Sequence, residues 1–285
     1  MRTVGRILAL ALLVGWSVVC LFPLYWMAIG SIKTVEDVAN GPLYVPFADF
    51  TPTLDAWRYI LFNSSDDSLV RFANSVIIAS GATATTILIG GLAAFGLMRT
   101  KRSAPAEGRL FIAMLASRAL PPIVMAIPLY ILIGQLGGLD TKWALAAVYT
   151  AYNVPIAVWL MRIGFAAVPA DIIDAAVLDG ASLLRIFFTI MVPLSAGVTV
   201  ATAFLVFILC WNEYTFAVVL TQDHALTLPP FLAGQMAVRE QMATSEPQWS
   251  YFSTLIVIMV APLLAGTGIV ERLLARGFLG RRAAE

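Results

Sequence analysis

Residues 168–194 read VPADIIDAAVLDGASLLRIFFTIMVPL, and their types suit recognition rather than catalysis. Pro169 fits a first helical turn, and Asp171 sits where a helix dipole favours a negative charge. Ile172, Ile173, Ala175 and Ala176 supply the apolar part of about two helical turns. Asp179-Gly180 signals a helix end, because glycine takes the positive φ that such a stop requires. A second helical run, Ser182 to Met191, then feeds into Pro193. The spacing predicts a short helix, a tight turn and another helix, which together form a compact knob. Two uses fit such a knob: a capped hairpin sealing a membrane face, or a docking element that inserts into a partner protein.

Two charges stand in otherwise apolar surroundings, and each has two readings. Glu213 follows Trp211 and Asn212 and precedes Tyr214. Flat rings beside an acid and an amide suit a polyhydroxylated solute moving along a path. The same residues suit a structural hydrogen bond between helices, with the rings in an interfacial aromatic belt. Arg118 either marks a cavity or partner within a span or snorkels to the surface. Elsewhere there is little chemistry to find. The single histidine, His224, reads as a solvated loop residue, and Cys20 and Cys210 read as packing residues within spans. The lysines are Lys33, Lys101 and Lys142, and none lies in a Gly-Lys-Ser/Thr phosphate loop.

The elements that hold these residues follow from composition. The 285-residue chain is 60% hydrophobic and 12% charged, about half the charge of an average soluble domain. A net charge of +1 provides no field for a polyanion, which argues against nucleic acid as a partner. The bilayer is the solvent that fits. Runs of about 20 apolar residues are long enough to cross it. Six occur, at residues 7–30, 72–98, 110–134, 143–161, 194–220 and 252–270. They are too long and too uniform for barrel strands. The first is about twice the length of a signal-peptide core and is expected to be a retained helix. Ala82, Thr86, Gly90 and Ala94 place small residues on one face of the second run, for sliding or for static packing.

An even number of spans puts both termini on one side. Twelve of the 18 basic residues, including Arg99, Lys101, Arg102 and Arg109, fall on the side of the termini, so both ends are expected in the cytoplasm. The loop from Ser31 to Arg71 is then outside, with Trp57 and Tyr59 suiting a short interfacial segment. The outer loop from Thr221 to Tyr251 carries Pro229, Pro230 and Pro247. The knob faces the cytoplasm, within the inner loop of residues 162–193.

The knob carries a family resemblance. Asp174-Ala175-Ala176, three residues, Gly180, nine residues and Ile190-x-Val192-Pro193 resemble the EAA motif of ABC importer permeases, with every spacing matched. Asp174 stands where Glu is usual, and Val192 where Leu is usual. Trp211-Asn212-Glu213-Tyr214 resembles the WNE signature of MalG-type carbohydrate permeases. So do Phe22-Pro23-Leu24-Tyr25-Trp26 with Ser31-Ile32-Lys33, Asn74-Ser75, Pro121-Pro122 with Pro128, and Gly277-Phe278-Leu279-Gly280.

The resemblance implies an all-α membrane protein: one permease domain over residues 1–285, six transmembrane helices and a cytoplasmic coupling hairpin. It implies import of a sugar or polyol by alternating access. Asp174, Ala175, Ala176, Asp179 and Gly180 would couple to ATPases. Trp211, Asn212, Glu213, Tyr214 and Arg118 are the candidate path residues. Expected partners are a second homologous permease, two ATPase subunits, an extracytoplasmic binding protein and the lipid bilayer. No cofactor is expected on this chain, ATP and Mg being used by the ATPases. A permease for another small solute is the nearest alternative. A channel would have no use for the knob, and an intramembrane enzyme would need more polar residues than the spans hold.

Overall fold

A computed structural model describes residues 2–41, 43–63, 67–99, 104–241 and 249–282. Lys101, Arg102 and Pro247, and the side chains of Gly277–Gly280, lie outside the described residues. Fourteen α-helices follow in order among those described: α1 (Arg2–Gly30), α2 (Val35–Ala39), α3 (Asp55–Phe62), α4 (Ser68–Arg99), α5 (Ala104–Ala119), α6 (Pro122–Gln135), α7 (Lys142–Ala166), α8 (Ala170–Leu178), α9 (Leu183–Ile186), α10 (Val192–Leu194), α11 (Ala196–Trp211), α12 (Thr215–Leu220), α13 (Leu228–Gln241) and α14 (Trp249–Arg282). A π-helical turn, Phe187–Met191, lies between α9 and α10.

Helices α1, α4, α7 and α14 are each long and apolar enough to cross a membrane alone. The third and fifth expected spans are instead bent pairs. α5 and α6 meet at 85°, and the helices before and after Ser195 meet at 87°. Counting each pair as one span gives six. Proline chemistry explains the first break: Pro121 takes an extended ψ of 134°, and Pro122 starts α6 in the first-turn position that proline tolerates. At the second, Pro193 donates no N–H, the chain widens into the π turn, and Ser195 leaves helical geometry at φ −104°, ψ 20°. The fifth span breaks again at Asn212–Tyr214, before α12.

The chain forms two compact units: Met1–Val70 with Phe231–Leu263, and Arg71–Pro230 with Leu264–Glu285. In the first, α1 is exposed from Gly5 to Leu24. Its outer end is fastened to the following loop. Lys33 Nζ donates to the Leu43 carbonyl at 2.6 Å and lies over the rings of Trp26 and Phe50. Burial lowers the Lys33 pKa, against the opposing pull of Asp37 and Asp49. Thr34 and Asp37 form a capping box on α2. Tyr251 on α14 meets the Ser68 hydroxyl at 3.0 Å and the edge of the Tyr59 ring.

The second unit has a core where α4, α7 and the π turn meet: Ala94, Phe95, Val158, Met161, Phe165, Ile186, Phe187 and Met191 are all buried. Lipid is as apolar as these side chains, so close packing rather than water exclusion holds such a core. Gly91 makes it possible. A Cβ there would lie 2.9 Å from Met161 Cε and 3.1 Å from Phe187 Cζ. The small-residue face of α4 packs within this unit too, since Thr150 on α7 donates to the carbonyl of Ala82 at 3.4 Å.

The loop between α12 and α13 is held from two sides. Asp140, at φ 56°, accepts backbone N–H bonds from Gln222, Asp223, His224 and Ala225. Burial alone would raise the Asp140 pKa; these donors outweigh that and hold it below the ordinary value. Arg71 pairs with the Asp223 carboxylate at 2.6 Å, and Asn74 Nδ2 donates to the carbonyls of His224 and Leu226.

Candidate functional site

The knob is α8, a turn, and α9 running into the π turn. Asp179 is the last residue of the turn, and Gly180 follows at φ 78°. The Gly180 N–H donates to the Val177 carbonyl, and the Ala181 N–H to that of Ala176. That double closure is a Schellman stop, which satisfies carbonyls a helix end leaves open. The hydrophobic contact that accompanies such a stop is present, since Ala176 and Ala181 both pack on the core below. Ser182 then restarts the helix, its hydroxyl accepting from the Arg185 N–H.

The base of the knob is fixed and its tip is bare. Ile186 and Phe187 are buried between α4 and α7, and Ile173 joins them from α8. Asp174, Ala175, Asp179 and Gly180 are exposed, and Ala176 is half-buried. Around them stand large apolar side chains with no cover: Leu178 is 88% exposed, Leu184 59% and Leu183 52%. A Cβ on Gly180 would meet no atom within 4 Å. This is a hydrophobic, sharply turned tip on a rigid mount, which is what a docking element needs.

The second set of candidate residues is built differently. Trp211 ends α11 and is buried, stacked on Phe207 at 5.5 Å and edge-on to Phe72. Asn212 is exposed, and its amide returns to the Ile208 carbonyl. Glu213 turns its carboxylate onto the start of α12, accepting from Phe216 N–H at 2.9 Å and Ala217 N–H at 3.2 Å. An acid at a helix start is favoured by both the free N–H groups and the dipole. Tyr214 is 45% exposed. Of the four, Asn212 and Tyr214 present surface, while Trp211 and Glu213 hold the break together.

Arg118 joins this region through residues that composition did not single out. Its guanidinium donates to Asn153 Oδ1 at 2.7 Å and to the Tyr152 carbonyl at 3.2 Å, and stacks on the Tyr152 ring. Asn153 Nδ2 in turn reaches Cys210 Sγ, one residue before Trp211. Tyr152 also packs edge-on against Phe216, whose N–H serves Glu213. An amide inside an apolar span was the available signal for Asn153. The knob stands apart from all of this: α11, 16 residues or roughly 24 Å long, separates Ser195 from the break.

The chain matches the model of the family described as "Binding-protein-dependent transport system inner membrane component" over residues 57–279. It is 33% identical to the probable ABC transporter permease protein y4oR of Sinorhizobium fredii, over 91% of this chain and 88% of that one. It is 32% identical to the trehalose/maltose transport system permease protein MalG of Thermococcus litoralis, over 95% of this chain and 94% of the relative. Among solved structures it resembles a bacterial ABC transporter involved in import of the acidic polysaccharide alginate, with a TM-score of 0.75 at 20% identity, covering 95% of this chain and 96% of that one.

Proposed function

The chain belongs to the family of binding-protein-dependent transport system inner membrane components, and on that premise we propose that it imports a sugar or polyol, driven by ATPases seated on the α8 knob. The observation that carries the coupling reading is the bare tip: Leu178, Leu183 and Leu184 exposed around a left-handed glycine on a packed base. A surface of that kind marks a protein contact. The cargo reading is supported by the likeness to a permease named for trehalose and maltose.

Each part of the chain has a mechanical role in this proposal. The chain has no phosphate loop, so ATP and Mg act in the partner subunits and the energy arrives as displacement. Closure of the ATPases pushes α8. Because Ile186, Phe187 and Met191 are bolted between α4 and α7, the push reaches those helices as rigid-body motion, and the path alternates between faces. The proposed assembly has this chain, a second homologous permease, two ATPases and an extracytoplasmic binding protein, with both termini of this chain in the cytoplasm. Asp174, Ala175, Ala176, Asp179 and Gly180 form the coupling surface. Asn212 and Tyr214 face the path, positioned by Trp211, Glu213 and Arg118.

Gly180→Arg tests the proposal. The variant inserts normally, because the spans are untouched, but the side chain obstructs the groove that receives the knob. Substrate-stimulated ATP hydrolysis of the reconstituted complex falls at least about ten-fold, equivalent to roughly 1.4 kcal/mol of lost coupling. Normal co-purification of the ATPase together with full stimulated hydrolysis would remove the docking role.

A further inference from the structure

The turn at residues 43–50, LYVPFADF, presents an aromatic ring in a conformation that aromatic residues avoid. Phe47 has φ 67° and is 87% exposed. A bulky residue at positive φ is an outlier that its surroundings must impose. They do so here with a closed set of bonds. The Asp49 carboxylate accepts from the N–H groups of Tyr44 and Val45, both at 2.9 Å, and the Phe47 N–H donates to the Phe50 carbonyl at 2.9 Å. Phe50 is buried beneath the Lys33 ammonium, and Lys33 also holds Leu43. The turn is rigid, and what it holds outward is Phe47, with Tyr44 and Val45 exposed beside it.

The same turn is folded back along α1. Tyr25 Oη donates to the Tyr44 carbonyl at 2.5 Å, and the Tyr44 ring lies 5.6 Å from Trp26 and 6.4 Å from Phe22. Depth follows from helix geometry. The apolar stretch Gly5–Gly30 has 26 residues, so it spans about 39 Å, close to the roughly 40–45 Å of a whole bilayer with its headgroups. Gly30 then marks the water edge, and Tyr25, five residues earlier, lies about 7.5 Å deeper. That depth is the boundary between headgroups and acyl chains, where aromatic rings collect. The single charge in the turn, Asp49, is turned onto the turn's own N–H groups, so its outward face is uncharged and continuous with the exposed apolar surface of α1.

We propose that residues 44–48 form an interfacial wedge that seats Phe47 among the lipids of the outer leaflet and fixes the depth of the first span. The leaflet assignment rests on the topology proposed above. The test uses the whole transporter in phosphatidylethanolamine–phosphatidylglycerol vesicles. Phe47→Cys, in a background lacking Cys20 and Cys210, carries a nitrobenzoxadiazole label. A nitroxide placed high on the lipid chain should quench that label about twice as strongly as one at the chain end, as burial by 5–10 Å requires. The same label on Asp55→Cys should not be quenched. Absence of quenching at position 47 overturns the wedge. So does a fluorescence change that arises only on adding the binding protein, which would make the turn a protein contact. Labelling Asp55→Cys from outside intact cells reads the topology separately, so failure of the leaflet assignment and failure of the wedge are distinguishable.

Discussion

The reversal at Gly180 and the break at Glu213 solve one problem, ending a helix beside the next, in opposite ways. At Gly180 the backbone closes on itself through the Ala176 and Val177 carbonyls, and the neighbouring side chains are left outward and unused. At Glu213 a side chain does the closing, and its carboxylate is consumed by Phe216 and Ala217. Unused apolar surface on a rigid turn has a partner as its purpose. A charge already satisfied by its own chain has the fold as its purpose. Substitutions at the first site should therefore change coupling at constant stability, and substitutions at the second should change stability first.

The largest expected effect on stability is at the break. Glu213→Ala leaves two N–H groups without an acceptor and should cost about 2 kcal/mol, read as a lowered thermal midpoint in detergent. Glu213→Gln keeps one acceptor and should fall between Ala and the parent. An unchanged midpoint in Glu213→Ala would return Glu213 to the translocation path.

Arg118→Met comes next. It strips the donor from Asn153 Oδ1 and the Tyr152 carbonyl, at a cost of roughly 1–2 kcal/mol. Uptake and stability should fall together, whereas a loss of uptake at full stability would make Arg118 a contact for cargo.

Gly180→Ala probes the knob without filling it. Its Cβ points into open space, so only the left-handed backbone resists, by about 1 kcal/mol. Stimulated ATP hydrolysis should survive in this variant and be lost in Gly180→Arg. Loss in both would show that the turn's conformation matters rather than its clearance.

Asp140→Asn should lower the thermal midpoint modestly at neutral pH. The Asp140 carboxyl is held below its ordinary value, so its stabilisation is present above about pH 3.9 and fades as pH falls through the lower folded value. The gap between variant and parent should close in acid, and a gap that persists there would assign the effect to packing. Smallest of all, Asp174→Ala should leave stability within about 0.5 kcal/mol and reduce stimulated hydrolysis only slightly, since it removes one exposed group from a surface dominated by shape.

What the residues disclosed in advance follows the same division. The apolar runs, the knob and its glycine are local patterns, and local patterns are legible. Asp179-Gly180 announces its turn whatever lies around it. Pro229-Pro230 announced a helix start too, and α13 begins there. The 87° bend at Ser195 was hidden because it depends on Phe187 and Met191 finding a core between α4 and α7. Glu213 could be read as a cap only once the fifth span was known to break. Asp140 was out of reach altogether: the turn it holds lies 82 to 85 residues further along the chain.

The π turn has a consequence for how this chain tolerates change in length. Its wider closure accommodates one residue more than an α-helix would between Phe187 and Val192. Every residue in a helix advances the direction of the following side chains by about 100°. Deleting one residue from Phe187–Met191 would convert the turn to ordinary helix and swing α11 round by roughly that angle, carrying Trp211 and the break with it. The interval between the knob and the fifth span is therefore counted to the residue. The stretch between α2 and α3, which is loop outside its pinned turn, has no such count and should accept insertions that the π turn refuses.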